Sequence, residues 1–280
     1  MLSFSLGPFS LALNHLLLLA ALVLATFVGW LGGRRQRVNP ERALFGLFLL
    51  GLLLARVGFV LVYWAQYQNH LPGIIDIRDG GFLVWPGVIA VVIGALVHGF
   101  RRPALRTSMA MGVLSGLMFW WLASLAVSAS QQDARLPNLS LRDGSGTPVH
   151  LSDYQGKKLV INLWATWCPP CRREMPVLQV AQQTNPDVVF LFVNQAETPR
   201  EVGTFLTSQG LQLDNLLFDD TGELARRVGS AALPTTLFYR PDGGLSASHL
   251  GELSNASLTH VLGQLGESAP LASSQTRSTQ

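Results

Sequence analysis

Cys168 and Cys171 are the only cysteines in a chain of 280 residues, and Pro169 and Pro170 separate them. Thiols at this spacing suit part of a zinc site, a structural disulfide, or a dithiol that cycles with its disulfide. A zinc site needs further ligands, but no other cysteine exists and His150, His249 and His260 lack metal-ligand spacing, so no metal is expected. A ring closed over so few residues removes little entropy from the unfolded chain and reduces easily, which makes a purely structural role unattractive. Position favours redox chemistry, because a strand-like run, Leu159 to Leu163, precedes the pair and a helical stretch, Pro169 to Gln183, begins within it.

At a helix N-terminus, unpaired backbone amides and the positive end of the dipole favour a thiolate on the first cysteine. Cys168 is therefore expected to be the exposed nucleophile, and Cys171, one turn further on, the buried thiol that resolves a mixed disulfide. Pro169 and Pro170 fit the first helical turn, where a missing amide hydrogen costs nothing, and they stiffen the ring. No cofactor beyond the cysteine pair is expected.

The elements around the pair alternate. Asp187 to Val193 reads as a second buried strand, and Thr236 to Tyr239 with Leu245 to Leu250 flank the turn Pro241-Asp242-Gly243-Gly244 as a hairpin. Helical stretches cover Pro199 to Ser208, Thr221 to Val228 and Asn255 to Leu265. Strands interleaved with helices predict an α/β sandwich around one sheet. The polar stretch 129–137 reads as a linker, 138–267 as the redox domain, and the Ser/Thr/Gln-rich 268–280 as a disordered tail.

The stretch WATWCPPCRREMP (Trp164 to Pro176), with LPTT (Leu233 to Thr236) and PDGG downstream, resembles the membrane-anchored thioredoxin-like proteins of the TlpA/ResA/DsbE group over about residues 135 to 266. The resemblance implies a thioredoxin-like domain with a mixed central sheet flanked by helices. It also implies a cis peptide before Pro234, packed against the cysteine pair, with the backbone of Leu233 turned outward to pair with an extended substrate. Glu174 is implied as a buried acid near the thiols, its place one helical turn past Cys171 allowing proton exchange; the alternative is a plain partner of the helix dipole. Asn162 stands where ordinary thioredoxins carry their acid, six residues before the first cysteine. Trp167, Pro169 and Pro170 are expected on the substrate-facing surface, whereas Trp164 reads equally as surface or core.

The first 128 residues have another composition: nine Arg, no Lys and three acids, against eleven basic and fourteen acidic residues in the remainder. The net +3 is thus a +6 half and a −3 half. The basic residues cluster between apolar runs rather than on an aromatic-interleaved face, which argues against nucleic acid. Leu11 to Leu31, Ala43 to Tyr63, Phe82 to Phe100 and Met109 to Ser128 each approach the roughly 20 residues that cross a hydrocarbon layer of about 30 Å. No basic residue precedes Arg34, so the first run lacks the charged start of a signal peptide. Arg34, Arg35, Arg37 and Arg42 in the first loop and Arg101, Arg102 and Arg106 in the third point both loops to the cytoplasm. A four-span α-helical domain, 1–128, then places the redox domain in the periplasm of an inner-membrane protein.

The segments ARVGFVLVYW (Ala55 to Trp64) and IRDGGFLVWPG (Ile77 to Gly87) are similar to the prolipoprotein diacylglyceryl transferase family over about residues 10 to 125. Trp85-Pro86-Gly87 falls where that family has His-Gly-Gly, and its Gly-Arg-x-Gly-Asn segment is absent, so lipid transfer is not expected. Arg56, inside a span, and Asp79 are expected to anchor the redox domain or to recognise a lipid or a partner helix. The expected activity is thiol-disulfide oxidoreduction, in the reducing direction, on specific periplasmic proteins. With no cysteine in its membrane half, the chain needs a separate, DsbD-like thiol donor. Readings left open are an oxidant or isomerase, a lipoprotein-modifying enzyme with a redox-sensing domain, and a non-enzymatic docking module.

Overall fold

The computed structural model describes residues 3–6, 9–34, 38–68, 71–230 and 232–267. The tail expected at 268–280, and Arg35 and Arg37 of the first loop, lie outside the described residues. A hairpin of β1 (Ser3–Leu6) and β2 (Phe9–Ala12) leads into α1 (Leu13–Gly33), followed by α2 (Glu41–Val62), the short α3 (Trp64–Tyr67), α4 (Val84–Arg101) and α5 (Arg106–Gln132). Four of these segments are long and apolar enough to cross a membrane, and at most 33% of each apolar window is buried within the protein. Their outward-facing Leu, Val, Ile and Phe side chains have no protein to cover them, which is the pattern of helices solvated by hydrocarbon.

Small residues set the pairing of these helices. A Cβ on Gly112 of α5 would stand 2.7 Å from the carbonyl oxygen of Ala25 on α1, and one on Gly87 of α4 would stand 2.9 Å from that of Gly51 on α2. Only glycine lets the backbones approach so closely. α5 continues through Gln132, beyond the expected end at Ser128, because 129–131 contain no helix breaker. What remains of the linker is not free: Leu136 N–H donates to Gly243 O at 2.8 Å and Leu245 N–H to Ala134 O at 2.9 Å, zipping it to the last hairpin.

Beyond it the strands β3 (Ser140–Asp143), β4 (Pro148–His150), β5 (Lys158–Trp164), β6 (Val188–Gln195), β7 (Leu216–Asp219), β8 (Thr235–Tyr239) and β9 (Leu245–Leu250) form one sheet in the order β4-β3-β7-β6-β5-β8-β9. The β5–β6 and β6–β7 pairs are parallel and the others antiparallel, so the sheet is mixed. Helices α6 (Pro169–Thr184), α7 (Pro199–Gln209), α8 (Glu223–Val228) and α9 (Asn255–Glu267) flank it. Central β5 is buried on both faces, as the interior strand of such a sheet must be. Val160 and Trp164 point to the cluster with Met175 and Leu178 of α6 and Leu258 of α9, while Leu159, Ile161 and Leu163 point to the cluster with Leu224 of α8. Asn162 shares the α6 face, and that placement matters for the site.

Candidate active site

The sheet delivers the cysteines where a strand ends and a helix begins. β5 stops at Trp164, the loop Ala165–Trp167 turns, and Cys168 is the N-cap of α6. Cys168 and Cys171 are joined, with S–S 2.04 Å and Cα–Cα 5.3 Å, and Cys171 N–H donates to Cys168 Sγ at 3.3 Å. Pro169 and Pro170 occupy the first helical positions, so the amides they lack are ones the helix would leave unpaired. A helix amide aimed at Cys168 Sγ favours negative charge there once the bond is opened.

Cys168 is only 3% exposed rather than outward-facing, because the closed ring folds its sulfur into the apolar cluster that also holds Cys171, Trp164 and Met175. What faces outward is Trp167, 66% exposed, together with Pro169. Trp164 belongs to the core, fully buried and tilted against Phe205 at 5.9 Å between ring centroids. Pro234 is buried and follows a cis Leu233–Pro234 peptide; Leu233 packs, half-buried, against the cluster containing the disulfide.

Glu174 lies on α6 one turn beyond Cys171 and is fully buried. Its Oε1 accepts from Asn162 Nδ2 at 2.8 Å and its Oε2 from Leu253 N–H at 2.9 Å. Burial pushes its carboxyl up to about 8, while the two hydrogen bonds pull the other way and nearby Glu252 adds to the rise. Asn162 gives its second amide hydrogen to Thr236 Oγ1 on β8 at 3.0 Å, which fixes the donor that faces the acid. A carboxyl held in this range lies close to the ordinary thiol value of about 8.5, as proton exchange between the two requires.

A second acid, Glu197, was not anticipated. Its Oε2 accepts from Thr166 N–H and from Asn194 Nδ2, both at 2.7 Å, and its Oε1 takes a short hydrogen bond from the Thr166 hydroxyl. It therefore holds the turn that presents Cys168. Ala196 adopts φ 58°, a left-handed conformation costing a non-glycine residue about 1–2 kcal/mol, to bring Glu197 there. The signal lay in the parallel pairing of β5 with β6, which sets Asn194 beside Trp164 and so aims the end of β6 at the cysteine loop.

Arg56 and Asp79 stand away from the cysteines, in the membrane half, and of the two it is Asp79 that bonds to the redox domain. All five guanidinium hydrogens of Arg56 are taken up within the membrane half: by Asp79 Oδ1 at 2.8 Å and by the carbonyls of Gly73, Ile74, Asp76 and Gly81. No donor is left to grip a lipid headgroup or partner helix, so Arg56 organises the α2–α4 loop instead. Asp79 Oδ2 accepts from Tyr67 OH at 3.0 Å and, across the two halves, from Ser254 Oγ at 2.9 Å.

Residues 131–262 match the Redoxin family model, and residues 1–129 match that of prolipoprotein diacylglyceryl transferase. The thiol-disulfide oxidoreductase ResA of Oceanobacillus iheyensis is 32% identical over 146 residues, 51% of this chain and 73% of that protein. The thioredoxin-like protein YneN of Bacillus subtilis is 29% identical over 136 residues, 47% of this chain and 79% of the relative. Among solved structures, a thiol:disulfide interchange protein DsbE from Chlorobium tepidum aligns at TM-score 0.43 and 26% identity, covering 47% of this chain and 96% of that one. The cysteine pair opening α6 and the ResA match together show that this chain belongs, through its C-terminal domain, to the ResA family of thiol-disulfide oxidoreductases.

Proposed function

We propose that the chain is a membrane-tethered reductase of specific secreted proteins, with its redox domain on the periplasmic side of the inner membrane. The observation that carries this reading is the closed Cys168–Cys171 ring at the start of α6 with the buried acid Glu174 one turn beyond it. In the reduced enzyme, the Cys168 thiolate attacks a client disulfide and forms a mixed disulfide, expelling one client sulfur. Cys171, giving its proton to ionised Glu174, then attacks Cys168 Sγ. The second client sulfur leaves, the client gains two electrons and two protons, and the enzyme is left as the disulfide. A separate dithiol donor restores it: its first thiolate attacks Cys168 and releases Cys171, protonated Glu174 returns the proton, and the donor's second thiol then displaces Cys168 as the donor closes to its own disulfide. Trp167, Pro169 and Leu233 form the surface on which an extended client segment lies, around the cis Pro234.

Tethering is supported by the four apolar helices and by the similarity of residues 1–129 to a membrane enzyme family. The α2–α4 loop and the redox domain touch, so both emerge on one side, opposite the basic loops. Clients are trapped with Cys171→Ser, which leaves the mixed disulfide at Cys168 unresolved. Discrete adducts that dithiothreitol releases and that vanish in the Cys168→Ser/Cys171→Ser double variant support dedicated clients. Adducts of equal yield in the double variant exclude them.

A further inference from the structure

The segment Gly251–Ser254, between β9 and α9, is held from two sides. Toward the disulfide, Leu253 N–H donates to Glu174 Oε2 at 2.9 Å, Glu252 pairs with Arg173 of α6 at 2.6 Å, and Gly251 N–H donates to Pro234 O at 2.9 Å. Toward the membrane half, Ser254 Oγ donates to Asp79 Oδ2 at 2.9 Å, Ala256 packs with Phe59, Val60 and Tyr67, and His260 Nδ1 meets Tyr63 OH at 2.8 Å. Arg56 fixes Asp79, and Gly80 is bare where the His249 ring lies: an added Cβ would stand 3.2 Å from it. Leu253 and Ser254 are neighbours, so whatever moves the Ser254 hydroxyl moves the amide that faces the acid.

We propose that Asp79 and Ser254 are positioning residues through which the membrane half holds the Leu253 amide against Glu174, and so sets the pH range in which that acid exchanges protons with the thiols. The inference rests on the reading of Glu174 as the proton carrier. The charged or titratable groups around Glu174 are Glu252 from the β9–α9 segment, Arg173 and the cysteine pair at the start of α6, and, one contact further out, His249 of β9, whose ring meets Glu252 O; β5 and β8 present the neutral Asn162 and Thr236. Burial pushes His249 down, so it stays neutral near pH 7, and Arg173 is paired with Glu252. The Leu253 amide is thus the contact by which the other domain reaches the acid, and it favours the ionised form.

The test uses the full chain in lipid nanodiscs and the pH profile of disulfide reduction by dithiothreitol, with each rate divided by the dithiothreitol thiolate concentration at that pH to remove the reductant's own ionisation. Ser254→Ala removes the hydroxyl, which also caps α9 by accepting from Ser257 N–H at 3.1 Å, and Tyr63→Phe breaks the second cross-domain bond without touching that cap. Each is expected to raise the inflection by up to about one pH unit, a tenfold change in proton affinity. Ser254→Thr, which keeps the hydroxyl, is expected to restore the wild-type profile. Inflections of Ser254→Ala and Tyr63→Phe at the wild-type pH, alongside a Glu174→Gln variant that has lost its inflection, overturn the inference and leave the reading of Glu174 standing. An inflection that persists in Glu174→Gln overturns that reading, and the inference with it.

Discussion

Glu174 carries a proton to about pH 8, where an exposed glutamate has been ionised for several pH units. The same shift makes it a liability for stability. Its folded value lies above the unfolded one, so the native state binds the extra proton between about 4.5 and about 8. Stability attached to this group is fully present below the lower value and is lost as pH rises through the higher one, at roughly 1.4 kcal/mol per pH unit within the window. Glu174→Gln, which cannot ionise, is expected to remove that slope: urea midpoints of wild type should fall more steeply than those of the variant from pH 5 to pH 8. Parallel curves would show that Glu174 is ionised throughout. The absolute offset is separate, since one of the two donors now facing the carboxylate meets an amide instead, at about 1–3 kcal/mol. Cys168, Cys171 and Glu174 stand out in the sequence because their spacing is one helical turn, a local relation. Glu197 is 29 residues from Cys168 and meets the cysteine loop only through strand pairing, so spacing along the chain carries no trace of it.

β5, α6 and β6 act together as the clamp on the cysteine loop. α6 takes its start from Cys168 and the two prolines, β5 supplies Asn162, and β6 delivers Asn194 and Glu197 to Thr166. Truncating Glu197→Ala leaves the half-buried Thr166 amide and the Asn194 side chain without their acceptor, an expected loss of about 1–3 kcal/mol. Because the freed turn is the one that presents Cys168, the variant is also expected to lose resistance of the disulfide to dithiothreitol, while Glu201→Ala, at the exposed cap of α7, leaves it unchanged. Equal reduction rates for wild type and Glu197→Ala would show that the turn holds without its carboxylate. The same elements explain which parts of the fold were readable. β5 and β6 are continuous apolar runs and β8–β9 carries a turn signal between its strands, so the elements that place the site announce themselves. β3, β4 and β7 are only three or four residues long, with β4 at the sheet edge and β7 inside it. Their identity is fixed by pairing with distant strands, as Arg142 opposite Phe218 illustrates, and no local pattern of that length encodes it.

At the scale of the whole molecule, the two halves are joined at more than the chain crossing from α5 to the linker. Ser254 reaches Asp79, His260 reaches Tyr63, and Ala256 fills a pocket between α2 and α3, so the α2–α4 loop serves as a seat for the redox domain. That seat puts the loop and the domain on one side, and the placement of the arginines supports the periplasmic side proposed above. Arg34, Arg42, Arg101, Arg102 and Arg106 lie at the other ends of the helices, where retention in the cytoplasm is favoured. The two cysteines, being the chain's full complement, make the resulting orientation directly measurable. After reduction of intact cells whose outer membrane has been permeabilised, a charged maleimide that does not cross the inner membrane is expected to label Cys168 and Cys171 as fully as it does after detergent lysis. Labelling that appears only on lysis would place the redox domain in the cytoplasm. Thiol-reducing systems there would keep the pair open, and the case for a periplasmic client and a separate periplasmic donor would fall with it.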